Sequence, residues 1–206
     1  MLMAVDYIYN CEVIKLAKIQ WKPGAMLSPV PPVLVSCGTM QKHNILTVAW
    51  TGILNTHPPM TYISLRPERY SYNIIKDTGE FVMNLATEKL VFAADYCGVH
   101  SGRDVDKFAK MNLTPESASK ISAPIIAESP VNIECEVREI VNFGSHDMFV
   151  SEIVAVSVDE SAFNSMGKLD FIKCGLIAYA HGEYFTLGKR LGGFGFSVRK
   201  KKRRGS

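Results

Sequence analysis

The run Val-Asn-Ile-Glu-Cys-Glu-Val-Arg at residues 131–138 alternates strictly between apolar and polar side chains. Val131, Ile133, Cys135 and Val137 fall on one side, and Asn132, Glu134, Glu136 and Arg138 on the other. Period two over such a stretch predicts a half-buried β-strand, with Cys135 as a small core residue. Residues 149–158 are long and β-branched, and Gly144-Ser-His-Asp147 lies between the two runs. Together they predict an antiparallel hairpin.

The rest of the chain is built from similar pieces. Residues 32–37, 45–53, 60–65, 80–85 and 176–180 read as strands bounded by turn residues. Helical signals are fewer: residues 71–77, residues 87–97 with Thr87 in N-cap position, and residues 105–111. No strand–helix alternation of the kind that builds a parallel sheet occurs. The expected class is mainly β, an antiparallel barrel with a few inserted α-helices. With 206 residues, no internal repeat and no interior low-complexity linker, one domain over residues 1–198 is expected.

Residues 199–204 are all Arg or Lys. They account for the net charge of +3; without them the balance turns mildly acidic, so the body carries no nucleic-acid footprint. Residues 199–206 read as a disordered basic tail, and a binding module that uses this tail on nucleic acid or an anionic membrane is the minor reading. The five cysteines form no C-x-x-C pair, which argues against a disulfide framework and against a metal site. No apolar stretch approaches the ~20 residues that span a bilayer. A cytoplasmic protein without membrane or nucleic-acid partners is expected.

Chemistry concentrates in a few loops. Ser64-Leu-Arg-Pro-Glu-Arg-Tyr-Ser71 places Arg66, Arg69 and two hydroxyls just before a predicted helix. Guanidinium forks, hydroxyls and helix N-terminal N–H groups suit a phosphate monoester; the same residues also read as a solvated strand-to-helix turn. Asn44 and Thr47 lead into the second strand, Asn84 ends the fourth, and Ser101-Gly-Arg103 with Lys107 follows the long helix. Amides suit the pyrimidine edge of a heterocycle, and a cation there stabilises charge developing on it. Single asparagines are also ordinary turn residues. No nucleophile elbow, zincin motif, Walker loop or dinucleotide glycine fingerprint occurs.

In the order His43-Asn-Ile-Leu-Thr-Val-Ala-Trp-Thr-Gly52, Ser64 to Ser71, Gly79-Glu-Phe-Val-Met-Asn84, Ser101-Gly-Arg-Asp-Val-Asp-Lys-Phe108, Gly144 to Asp147 and Gly192-Gly-Phe-Gly-Phe-Ser197, the chain resembles the flavin reductase-like, FMN-binding split-barrel family, in its flavoredoxin-type branch. The resemblance covers residues 21–200 and implies a Greek-key split barrel, a homodimer and one FMN per subunit near the interface. It places Asn44 and Thr47 beside the flavin ring, Ser64, Arg66, Arg69 and Ser71 on the phosphate, Asn84 at the next strand's end, and Ser101, Gly102 and Lys107 on a bordering loop. It sets His146 near an incoming NADH or NADPH. The implied activity is an oxidoreductase passing electrons from a reduced nicotinamide to the flavin and on to an acceptor. The alternative is a flavoredoxin-type carrier fed by a protein partner.

Overall fold

A computed structural model describes residues 17–198; the basic tail expected at residues 199–206 lies outside them. Strands β1 (Val33–Gly38), β2 (His43–Val48), β3 (Thr51–Thr56), β4 (Pro59–Leu65) and β5 (Glu80–Leu85) come first, with helix α1 (Tyr70–Thr78) between the last two. Helices α2 (Val91–Val99) and α3 (Lys107–Lys110) follow, then the short pair β6 (Pro115–Glu116) and β7 (Ile125–Ile126). The long hairpin of β8 (Val131–Asn142) and β9 (Asp147–Val158) comes next, and the small hairpin of β10 (Ile177–Ala180) and β11 (Glu183–Thr186) completes the set.

Seven strands form one antiparallel sheet in the order β2-β1-β5-β8-β9-β4-β3. Its two end strands are consecutive in the chain, separated only by Ala49 and Trp50. The sheet therefore curls until one bent strand serves as both of its edges, and the barrel closes. β2 pairs with β1 and β3 pairs with β4, while Ser64 N–H donates to the Trp50 carbonyl at 2.9 Å across the bend. The single strand expected over residues 45–53 is corrected here: the chain changes partners midway, so it is two half-strands.

Inward residues alternate with outward ones. Val35, Cys37, Leu46, Val48, Ile63, Leu65, Phe81, Met83, Cys135 and Phe149 fill the barrel, and α1 plugs it with Tyr72 and Ile75. α1 ends at Gly79, whose φ of 69° lets its N–H return to the Ile75 carbonyl at 2.8 Å. On the outer face, Leu34 and Ile45 pack under α2 and α3 through Ala93, Ala94, Cys97 and Phe108. Thr87 precedes a short 3₁₀ turn that leads into α2 and makes no side-chain cap.

The half-buried reading of β8 needs a second correction. Asn132 and Glu134, expected to face solvent, are buried. The irregular segment before β8 covers them, and its backbone is tied down by their side chains. Glu134 accepts from the N–H groups of Ser119 and Lys120, both at 2.8 Å. Asn84 belongs to the same seam. Its amide nitrogen donates to the Leu34 carbonyl and Ser36 Oγ, and its oxygen accepts from Ile126 N–H and Asn132 Nδ2. Leaving buried donors and acceptors unsatisfied costs about 1–3 kcal/mol each. Asn84→Ala is therefore expected to lower stability by roughly 2–4 kcal/mol. Denaturant titration checks this, with amide exchange of residues 115–127 rising first.

Candidate functional site

Two joined cavities of about 310 and 450 Å³ lie where the bent strand, the end of β4, the start of α1, the end of α2 and the β8–β9 turn meet. Both are lined by Leu46, Arg66, Arg69 and Val99. Because β2 is hydrogen-bonded on one side only, its unpaired side at Thr47, Val48 and Ala49 lines the smaller cavity.

The larger cavity is an anion corner. Arg66, Arg69 and Arg103 all line it, with Glu68 as the one carboxylate among its described lining residues. Arg69 caps α1 with its backbone and directs Nη1 to the Gly98 carbonyl at 3.0 Å, fixing the guanidinium near the end of α2. Arg66 meets Glu68 at 3.5 Å in an exposed pair that adds little energy. Arg103 lies over the Tyr70 ring, 5.6 Å from its centroid. The N–H groups of Tyr70 and Ser71 begin α1, where intrahelical acceptors are lacking. Ser71 Oγ accepts from Asn44 Nδ2 at 2.7 Å, so these two buried side chains hold one another at the rim.

Gly102 lies close against this pair. A Cβ there would meet Asn44 Oδ1, stand 2.6 Å from its Cγ and come within 2.7 Å of the Tyr70 ring. Behind the corner, Lys107 is buried and donates from Nζ to the Ile45 carbonyl at 2.8 Å and the Cys97 carbonyl at 2.9 Å. Burial lowers its pKa, and Arg69 lowers it further against the opposing pull of Cys97 and Cys37. An ammonium has three N–H groups, so one remains beyond this tie between β2 and α2. Burial also pushes the Cys37 thiol up to about 12 and the Cys97 thiol up to about 11.

The smaller cavity is flatter and more aromatic. Trp50, Tyr179 and Tyr184 line it beside Thr47, Ser64, Asp95 and His146. The Trp50 and His146 rings lie 4.6 Å apart at 35°. Burial first, then Arg66 and Arg69, lower the His146 pKa against an opposing pull from Glu68, which favours the neutral imidazole. Thr47 Oγ1 donates to the Ala94 carbonyl, which leaves the oxygen itself able to accept.

Ten of the eleven expected site residues thus gather around one cleft: Asn44, Thr47, Ser64, Arg66, Arg69, Ser71, Ser101, Gly102, Lys107 and His146. Asn84 does not. It is fully buried in the polar seam under residues 115–127, and both ends of its amide are already bonded there. Arg103, Tyr70, Trp50 and the tyrosines of the β10–β11 hairpin were not among the expected residues. Arg103 sat in a quoted motif and its charge was the available signal. Tyr179 lies on the strand expected at residues 176–180 but nothing there marks it as facing a site, and Tyr184 lies on β11, which was not foreseen.

The flavin reductase like domain model matches residues 25–188. An uncharacterised protein of Archaeoglobus fulgidus is 32% identical over 160 residues, covering 78% of this chain and 89% of that protein. Flavoredoxin of Desulfovibrio vulgaris (Miyazaki F) superposes with a TM-score of 0.83 at 31% identity, over 89% of this chain and all of that one. Flavoredoxin of Methanosarcina acetivorans gives a TM-score of 0.80 at 27% identity with the same coverage. Among the described residues no helix is long and apolar enough to cross a membrane.

A side chain at residue 102 displaces the rim of the anion corner rather than its charges. Gly102→Ala is expected to weaken binding of a phosphate monoester such as FMN by roughly tenfold, about 1.4 kcal/mol. Isothermal calorimetry on the variant checks it.

Proposed function

We propose that this chain, which belongs to the flavin reductase like family, binds FMN in the joined cavities and works as an oxidoreductase that draws electrons from NADH or NADPH. The observation that carries this reading is the pairing of an anion corner with an adjoining aromatic cavity. Three arginines and the start of α1 suit a 5′-phosphate, and the unpaired side of β2 with Trp50 suits a flat heterocycle. The site fits the group on its own chemistry: the donor set is cationic, and Gly102 keeps the corner open where a Cβ would intrude.

When bound, the flavin supplies the hydride and electron chemistry. The chain supplies position and charge. Arg66, Arg69 and Ser71 hold the phosphate. Thr47 and the main chain of β2 meet the ring edge. Trp50 and neutral His146 form the wall where a nicotinamide approaches. The likeness to the two flavoredoxins favours a second reading, a carrier that receives electrons from a protein partner.

FMN is expected to bind at least tenfold more tightly than riboflavin, and Arg69→Ala to lose a charge-assisted bond of about 1.5–3 kcal/mol. Fluorescence titration with both flavins checks this; equal affinities would sink the phosphate assignment. Flavin absorbance should then bleach with NADH or NADPH. Bleaching only with a reduced partner protein would select the carrier reading.

We also propose a homodimer. Ile53 and Leu54 on β3 and Phe143 at the hairpin turn are exposed apolar residues, and such groups mark association surfaces. Sedimentation at micromolar concentration should give a two-chain species; a single-chain species would refute it.

A further inference from the structure

We infer that Asp147 is a positioning residue that holds the anion corner and the His146 turn in register, an inference that rests on the flavin reading above. Asp147 is the first residue of β9 and sits across from Leu65 on one side and Asn142 on the other. Leu65 immediately precedes Arg66 of the anion corner. His146 immediately precedes Asp147. The residue is therefore the crossing point of the two halves of the cleft.

Its side chain joins them as well. One carboxylate oxygen accepts from the Tyr72 hydroxyl, and Tyr72 lies on α1 next to Ser71. The other accepts from Asn142 Nδ2 at 2.5 Å. Asn142 in turn accepts the Gly144 N–H at 3.1 Å through Oδ1, which shapes the turn that carries His146. Tyr72 and Asp147 are 6% and 7% exposed, and Asp147 is in no ion pair among the described residues. The Tyr72 ring packs edge-on against Phe149, 5.2 Å between centroids. A buried carboxylate held by neutral donors constrains geometry strongly, because each donor lost leaves it unsatisfied. Neither Tyr72 nor Asp147 lines either cavity.

The chain of bonds has a direction that allows a rescue experiment. In Asp147→Asn one acceptor becomes an NH₂; with the remaining oxygen kept on the Tyr72 hydroxyl, that NH₂ faces the Asn142 NH₂, donor against donor. Adding Asn142→Asp puts an acceptor there again while still accepting Gly144 N–H, and the Tyr72 bond survives. The FMN dissociation constant should rise at least about threefold in Asp147→Asn and Tyr72→Phe, because Arg66 and Ser71 are placed through this carboxylate. The KM for the nicotinamide should rise at least fivefold, more than kcat falls, and Asp147→Asn with Asn142→Asp should restore it. A purely structural pin would lower melting temperature and leave KM in place.

A second readout needs no flavin. The ¹⁵N-imidazole signals of His146 should move in Asp147→Asn and return in the double variant. Signals unmoved by Asp147→Asn, or a double variant as displaced as the single one, would overturn the inference. Failure of the unaltered protein to bind FMN would instead overturn the flavin reading, and the histidine signals would still decide the role of Asp147.

Discussion

One bent strand closes this barrel, and most of the molecule follows from that constraint. A sheet whose first and last strands are two residues apart in the chain has to curl back on itself. Each half of the bent strand is then paired on one side only. The free side of β2 becomes a wall of the cleft, and Trp50 at the bend becomes a ring beside it. A barrel closed in this way has no full-length open edge, so association with another copy has to use side chains rather than extension of the sheet.

The second organising element is polar. Strands that bury both faces usually carry apolar residues on each. Here Ser36, Asn84, Asn132 and Glu134 face outward and are nevertheless buried, because they bond the backbone of an irregular segment that has few contacts of its own kind. The site uses the opposite arrangement. Arginines remain partly solvated and converge on one cavity, where opposing carboxylates are scarce.

Much of this was legible in the chain. Glu80–Leu85 was read at its full extent because Thr78-Gly79 punctuates its start. The anion corner was legible because Arg66, Arg69 and Ser71 are close in sequence. What escaped was nonlocal. Residues 45–53 carry β-branched side chains on both sides of Ala49 and Trp50, with no Pro, Asn or Asp between them, so no strong turn signal marks the change of partner. The burial of Glu134 depends on cover from residues 115–127, which show no periodicity. Asn84 drew notice as an amide at a strand end, but the partners that tie it to other elements are 42 to 50 residues away in the chain. The Tyr72–Asp147 bond spans 75 residues and left no mark in the sequence.

Cys37 and Cys97 stand just behind the cleft floor: Cys37 Sγ donates to the Asn44 carbonyl, and the Cys97 carbonyl receives Lys107. With their thiols pushed to about 12 and about 11, thiolate is scarce at neutral pH. Thiolate is the form that attacks disulfides and peroxides. These two sulfurs therefore stand behind the cleft floor as inert packing. On the flavin reading, these two thiols would stand beside the cofactor mainly in their protonated, unreactive form.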